Sequence, residues 1–365
     1  MTIFGGGQSK KAPLIGESGI PAYCLKTIGS RHILVAGGGG ASKTGVLNEI
    51  QTHLFTTGSA NQDVGFQSKC VGKFDTGSMA TMNMDVACAF DEISAKYVIA
   101  AGQENLCALY MTRAFKLNEE NECLSFEIQK VSQVRSDFHA SNSYQKCVRF
   151  DKSSRGKIFA TGGADGHIRI WNAQIVFRAE NEDAQPILTI QAHKADVDDI
   201  DFSKDSKTII SVGAEGAFIW STQTGARLLD LQFPIEISRG FKSISSLAVS
   251  DCGNFTAVGT MSGSVLVFDT HECRRLYFSP ESHGLFVTGI EFVSRTSPSI
   301  CEDIQSETPG IASGFQSAVV TLAADKTMQL HRVPYPQPQP FSEYLLIISL
   351  VCLIFTWLSS FFIVS

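Results

Sequence analysis

Short apolar segments alternate with polar breaks along most of the chain. From Ala22 onward, segments of about four to eight apolar residues are separated by clusters of Gly, Asp, Asn and Ser. This alternation is typical of β-strands that end at tight turns. A helical period is not sustained over any long stretch of this region. The pattern predicts an all-β domain.

The strands are grouped in repeating units, which narrows the all-β prediction to one architecture. Each unit contains a strand, a polar turn, an apolar strand that ends in a small residue, a tight turn, a third strand and a more variable fourth strand. Four antiparallel strands repeated in this way predict the blades of a β-propeller. Five such units occupy residues 86–111, 147–172, 197–221, 244–269 and 287–331.

The repeats resemble WD repeats. Trp171 and Trp220 stand at the third-strand position of that motif, and His193 precedes the first strand of a unit. We expect these three side chains to be structural. A further blade is predicted from strands at 22–28, 33–37, 49–55 and 69–74. Six units can be counted, and we expect a seven-bladed WD-type propeller whose last blade is divergent or assembled from both chain ends.

A glycine-rich insertion interrupts the first blade. Four consecutive glycines, at 37–40, are followed by Ala41, Ser42, Lys43 and Thr44, so a turn of two residues in other blades is stretched to about ten residues. Four glycines carry a large backbone-entropy cost, which indicates that the backbone itself has a role. Three interpretations remain: a mobile hairpin loop, a phosphate-binding P-loop, or a protruding contact loop on a β scaffold. The P-loop requires a helix after the glycines, and the predicted strands favour the contact loop.

Composition excludes several classes of function. The net charge is −6 and no run of Lys or Arg exceeds a pair, so nucleic acid is not an expected partner. The ten cysteines never form a C-x-x-C pair, which argues against zinc sites and favours a reducing compartment. Neither a Gly-x-Ser-x-Gly elbow nor a His-Glu-x-x-His pair is present. We therefore expect no covalent chemistry and no nucleotide bound by this chain.

The C-terminal region differs from the repeats. Proline occupies every second position of V-P-Y-P-Q-P-Q-P, which is typical of an extended linker. Residues 344–364 then form 21 consecutive residues without a charge, long enough for a transmembrane helix. A buried soluble helix is the alternative. The predicted organisation is an N-terminal segment at 1–19 that is loose except where it joins a sheet, a cytosolic propeller at 20–333, a linker at 334–343 and a single C-terminal span at 344–364.

Together, the WD-like units, the first-blade segment G-G-G-G-A-S-K-T-G-V-L-N and the C-terminal span identify a resemblance to a known family. The chain resembles the endoplasmic-reticulum guanine-nucleotide exchange factors that start COPII coat assembly, the prolactin regulatory element-binding protein family. The resemblance implies a propeller that promotes GDP release and GTP loading on the small GTPase of that coat. It also implies a potassium ion in the first-blade loop and a location in the endoplasmic-reticulum membrane.

Site residues follow from that resemblance and from the residue types in the loop. Asn48 is the expected key side chain, because its amide can both accept and donate at the base of the loop. Expected partner contacts are Lys43, Thr44, Leu47 and Glu49. Expected potassium ligands are Gly37, Gly38, Gly39, Gly40, Gly45 and Asn48. The alternative function is a membrane-anchored WD-repeat scaffold without exchange activity, and a nucleotide-hydrolysing enzyme is a more distant one.

Overall fold

The structure is a computed structural model of the 365-residue chain. It describes residues 12–29, 31–42, 45–57, 66–88, 97–118, 123–179, 184–231, 244–250, 252–272, 274–294, 296–297, 308–309, 311–335 and 349.

The described residues form six four-stranded antiparallel sheets and one two-stranded ribbon. Each sheet is a blade, and first strands of neighbouring blades contact each other at five junctions among the described residues: between blades 1 and 2, 2 and 3, 3 and 4, 5 and 6, and 6 and 1. The all-β propeller predicted from the repeats is confirmed. Its first five blades are formed by consecutive strands. Blade 1 contains β2 (Ala22–Ile28), β3 (His32–Gly37), β4 (Glu49–Thr57) and β5 (Phe66–Asp75), and blade 2 contains β6 (Asn83–Cys88), β7 (Tyr97–Gln103), β8 (Leu106–Asn118) and β9 (Cys123–Arg135). Blade 3 contains β10 (Gln145–Phe150), β11 (Ile158–Gly163), β12 (His167–Asn172) and β13 (Leu188–Gln191), and blade 4 contains β14 (Val197–Phe202), β15 (Thr208–Gly213), β16 (Gly216–Ser221) and β17 (Arg227–Leu231). Blade 5 contains β18 (Ile244–Val249), β19 (Phe255–Thr260), β20 (Val265–Asp269) and β21 (Arg275–Ser279).

Blade 6 is built from both ends of the propeller. It contains β22 (Val287–Phe292), β25 (Ser317–Ala323), β26 (Thr327–Val333) and, as its outer strand, β1 (Leu14–Glu17). The ribbon of β23 (Thr296–Ser297) and β24 (Thr308–Pro309) lies in the connection between β22 and β25. The N-terminal segment therefore joins a sheet, and the pairing of β1 with β26 fastens the first blade to the last.

The expectation of seven blades is corrected to six within the part of the chain that the structure describes. The blade assembled from the two chain ends is the sixth, not a seventh. Between the end of β17 at 231 and the start of β18 at 244, the chain is too short for another four-stranded unit, which takes about 40 residues.

The two tryptophans and the histidine of the WD-like units have structural roles. The indole N–H of Trp171 donates to Thr161 Oγ1 at 2.9 Å, and that of Trp220 donates to Ser211 Oγ at 2.8 Å. His193 Nε2 lies 2.8 Å from the same Ser211 hydroxyl. All three predicted side chains are buried, and each ties a third strand or a crossover to its blade.

One end of the propeller carries two kinds of connection, and we call it the turn face. These are the turns between the second and third strands of each blade and the crossovers from the fourth strand to the next blade. They are joined by hydrogen bonds such as His193 N to Gly166 O at 3.0 Å in blade 3 and His283 N to Gly263 O at 3.1 Å in blade 5. The glycine-rich insertion between β3 and β4 is such a turn, so it lies on this face.

Buried apolar clusters fill the junctions between neighbouring blades. Five clusters join blades 6 and 1, 1 and 2, 2 and 3, 3 and 4, and 5 and 6. Among the described residues, no such cluster joins blade 4 to blade 5, and Leu229 of β17 remains 55% exposed. Among the described residues, this junction therefore has less buried apolar packing than the other five.

The innermost strands line a central cavity of about 340 Å³. Ion pairs cross between blades along its wall: Lys26 Nζ lies 2.8 Å from Glu291 Oε2, and Arg149 Nη2 lies 2.9 Å from Asp199 Oδ1. These pairs are partly buried, and they link the first strands of blades 1 and 6 and of blades 3 and 4.

Residues from Pro334 onward form a separate unit. Within the described residues there is no helix that is both long enough and apolar enough to cross a membrane. The span predicted at 344–364 lies outside the described residues except for Ser349, which is helical. That span stays a prediction.

Candidate functional site

The base of the glycine-rich loop is built by two glycines that no other residue could replace without movement. A Cβ at Gly37 would lie 2.1 Å from Pro21 O, because β3 meets the crossover from β1 at this point. A Cβ at Gly38 would lie 2.3 Å from Asn48 Oδ1 and 2.6 Å from Leu47 O, and Gly38 has a φ of +140°. The entry and exit of the loop therefore run in direct backbone contact.

Asn48 fastens this base in three directions. Its Oδ1 accepts a hydrogen bond from Gly40 N at 2.8 Å, and its Nδ2 donates to Gly40 O at 3.2 Å and to Gly77 O at 2.9 Å. Its backbone carbonyl accepts from Thr76 N at 2.9 Å. The side chain is only 4% exposed. Asn48 thus connects the start of the loop, its end and the crossover to blade 2.

Two further hydroxyl groups hold the glycine carbonyls. Tyr23 Oη donates to Gly38 O at 3.2 Å from β2, and Ser42 Oγ donates to Gly39 O at 2.6 Å from within the loop. The bond from Gly38 N to Pro21 O, at 2.8 Å, completes the attachment to the sheet. The four glycines make this segment conformationally flexible, and side-chain and backbone hydrogen bonds hold its base.

The predicted partner contacts differ in their placement. Leu47 is 61% exposed and the adjacent Val46 is 38% exposed, so the described end of the loop presents apolar groups outward. Glu49 is buried, where its Oε2 accepts from Gln51 Nε2 at 2.9 Å and lies 3.5 Å from Lys73 Nζ. Lys43 and Thr44 lie outside the described residues. As partner contacts, all four stay predictions.

A buried hydrogen-bonded chain continues from Glu49 along β4. Gln51 Oε1 lies 3.0 Å from His53 Nε2, and His53 Nδ1 lies 3.0 Å from Ser68 Oγ. Burial, assisted by the charge of Lys73, lowers the pKa of His53 to about 4. The imidazole is therefore neutral at pH 7 and can donate from Nε2 while Nδ1 accepts from the serine. These hydrogen bonds connect side chains of β4, the strand that follows the loop, to Ser68 of β5.

The local structure does not match that of a phosphate-binding P-loop. That motif needs a helix after the glycines, but residues 49–57 form β4. The oxygens that the described loop residues offer are neutral backbone carbonyls and one amide oxygen. Such donors suit a weakly held hard cation such as potassium. The carbonyls of Gly38, Gly39 and Gly40 each accept one side-chain hydrogen bond, which leaves a second lone pair on each oxygen.

Sequence reasoning missed the crossover that supports the loop. Gly77 and Thr76 bind Asn48 from 29 and 28 positions further along the chain. The sequence signal for this contact is weak, because only the short spacing between β5 and β6 indicates that the crossover must run close to the base of the loop.

Comparison with known proteins gives a consistent result. A family model described as "WD domain, G-beta repeat" matches residues 132–172 and 184–220, in the region of blades 3 and 4. The guanine nucleotide-exchange factor SEC12 of Mus musculus is 25% identical over 409 aligned positions, covering 88% of this chain and 90% of its own length. SEC12 of Rattus norvegicus is also 25% identical over the same shares.

The chain is similar to SEC12. The resemblance predicted from the glycine-rich segment, the repeats and the C-terminal span is thereby confirmed, and it extends along most of both chains. The F-box-like/WD repeat-containing protein TBL1X of Mus musculus gives a partial match, 28% identical over 51% of this chain and 31% of that protein. The structure of the WD40 propeller domain of Doa1 covers 88% of this chain and 95% of its own, at 10% identity and a TM-score of 0.47.

Proposed function

We propose that this chain is a guanine-nucleotide exchange factor that uses the loop at 37–48 to release GDP from a small GTPase. The observation that carries the proposal is the construction of the loop. Its base is held by the buried Asn48, and Leu47 extends from the turn face with 61% of its surface exposed. The similarity to the SEC12 exchange factors supports the same function.

Exchange needs no covalent chemistry. The factor must bind the nucleotide-free GTPase more tightly than the GDP-bound form, and the coupling between factor and nucleotide is reciprocal. An acceleration of about 10²–10⁴-fold requires roughly 3–5.5 kcal/mol of differential binding. A protruding backbone loop can supply this by entering the nucleotide site, because the hydrogen bonds at its base are formed before the partner arrives.

The finer proposal concerns the partner and the location. The small GTPase would be the one that initiates the COPII coat, and the span at 344–364 would anchor the propeller on the cytosolic side of the endoplasmic-reticulum membrane. Anchoring would confine the activated GTPase to that surface. The resemblance of the loop and the C-terminal span to the exchange-factor family motivates both parts.

The ion proposal rests on the chemistry of the loop oxygens. The carbonyls of Gly38, Gly39 and Gly40 and the Oδ1 of Asn48 would hold potassium, with Gly37 and Gly45 as the other predicted ligands. A bound cation would add rigidity to the loop. The chain's own residues already perform part of this task, since Asn48 and Tyr23 fix two of the three carbonyls.

A fluorescence assay of nucleotide release from the COPII GTPase tests the proposal. Asn48→Ala should reduce the release rate by about two orders of magnitude, because three hydrogen bonds at the base of the loop are lost. Asn254→Ala is the matched control, because Asn254 is exposed in the turn between β18 and β19, away from the turn face. A wild-type chain that binds the GTPase but releases no nucleotide would instead support the membrane-anchored scaffold.

A further inference from the structure

Besides the glycine-rich loop, three described apolar residues are exposed on the turn face at blades 5 and 6. Met261 lies in the turn between β19 and β20 and is 53% exposed, while Leu285 and Phe286 lie in the crossover from β21 to β22 and are 51% and 38% exposed. The blades themselves are packed by a separate cluster of buried residues that contains none of these three. Their exposure is therefore not required by the core.

These three residues form one patch. A Cβ at Gly263 would lie 2.3 Å from His283 O and 2.8 Å from Leu285 O, so the turn that carries Met261 packs directly against the crossover. The backbone of Phe286 is held by blade 6, because its carbonyl oxygen accepts a hydrogen bond from Ala324 N at 3.0 Å. We call Met261, Leu285 and Phe286 the blade 5–6 patch.

The blade 5–6 patch and the base of the glycine-rich loop border the same cavity. Met261 and Phe286 line the central cavity, and so does Tyr23 of blade 1, whose first strand contacts the first strand of blade 6. Tyr23 is also the residue that binds Gly38 O at the base of the loop. A partner that contacts the loop and lies across the mouth of this cavity therefore meets the patch.

The other exposed aromatic residue of this face is already engaged. Phe138 is 51% exposed, but the guanidinium groups of Arg135 and Arg169 each lie 4.8 Å from the centre of its ring. Among the described contacts, no guanidinium group lies over Phe286 of the patch. Met and Phe are enriched at the buried centres of protein interfaces, and contiguous exposed apolar groups mark such surfaces.

We infer that the blade 5–6 patch is a second binding surface for the GTPase of the proposed function, on which this inference rests. A loop of about ten residues is too small for a stable interface, which buries about 800 Å² on each partner. The patch supplies the additional apolar area. It contributes equally to the binding of all nucleotide states, so it determines affinity, whereas the loop determines the rate of nucleotide release.

The test separates affinity from rate. Leu285→Asp and Met261→Asp are compared with Leu228→Asp, a matched leucine that is 55% exposed on β17, outside the turn face. Calorimetry measures the Kd for the nucleotide-free GTPase, and release assays at increasing concentrations of the full chain give the maximal rate. Thermal unfolding of each variant verifies the fold.

The two patch variants should raise Kd at least tenfold, about 1.4 kcal/mol, with the maximal release rate within twofold of wild type. Leu228→Asp should change neither quantity. Unchanged Kd in both patch variants, or an equal loss in Leu228→Asp, overturns the inference while wild-type exchange leaves the proposed function intact. A wild-type chain without exchange activity overturns the proposed function and this inference together.

Discussion

Replacement of Gly38 by alanine tests whether the rigid base of the loop controls nucleotide release. The new Cβ would lie 2.5 Å from Asn48 Cα, and this backbone atom cannot rotate away as a side chain can. Gly38 also has a φ of +140°, which L-residues rarely adopt. The start of the loop must therefore shift by about 1 Å to restore normal contact distances.

The size of the effect follows from what this shift breaks. The two hydrogen bonds between Asn48 and Gly40, at 2.8 and 3.2 Å, cannot both survive it. Each contributes about 1 kcal/mol, and the backbone strain adds about 1–2 kcal/mol. A loss of about 3 kcal/mol lowers the ratio of active to inactive loop conformations by a factor of about 150, so the release rate should fall by up to that factor.

Two other glycines provide graded controls. Gly40 and Gly253 also have positive φ values, +67° and +77°, but a Cβ at either position would meet no atom within 4 Å. Gly40→Ala should therefore carry the backbone strain alone and reduce the release rate by no more than about tenfold. Gly253→Ala, in the turn between β18 and β19, should leave the rate unchanged.

Release kinetics and hydrogen exchange measure this series independently. The amide of Gly40, which donates to Asn48 Oδ1, should exchange much faster in Gly38→Ala, whereas the melting temperature should change by only a few degrees. Equal losses of rate in Gly38→Ala and Gly40→Ala would refute the reasoning, because the clash with Asn48 would then have no effect. A Gly38→Ala chain with wild-type rate and protected Gly40 would refute it as well.

Three further predictions concern two buried histidines, the ion proposed for the loop, and the junction between blades 4 and 5. Burial lowers the pKa of His53 to about 4 and, with the charge of His283, that of His331 to about 3, so both are neutral when folded. In the unfolded chain the same two histidines bind protons below about pH 6.5. Their contribution to the free energy of unfolding is therefore fully present above that pH and is lost as the pH falls. Urea titrations should show the free energy of unfolding decrease towards pH 4 by up to about 1.4 kcal/mol per pH unit for each histidine. Replacing potassium with choline in the buffer should slow nucleotide release and speed hydrogen exchange at the amide of Gly40. If neither rate changes, the proposal of a potassium ion in the loop is wrong. Amides of β16 should exchange faster than those of β3 in native-state measurements, because no buried cluster of the described residues joins blades 4 and 5; equal protection would contradict this.

Local patterns along the chain determine much of the fold. Alternating apolar positions and turn residues define strands within a few residues, and the four strands predicted for blade 1 are all present. The turn at Asp165 and Gly166 is predictable for the same reason, since a two-residue hairpin needs a positive φ and Gly166 has +75°. The glycine-rich loop is evident because four glycines have no side chains to pack.

Long-range contacts decided the rest. The number of blades depends on the pairing of β1 with β26. No local pattern reveals this pairing, because the two strands are far apart in the sequence. The exposure of Leu47 and the burial of Glu49 against Gln51 and Lys73 run against their residue types, so residue type alone does not predict them. The sequence by itself determined that this chain forms β blades with a backbone-built loop in the first. Tertiary structure decided which residues hold the base of that loop, because the hydrogen bonds from Asn48 to Gly77 and Thr76 form only when the crossover to blade 2 packs against blade 1.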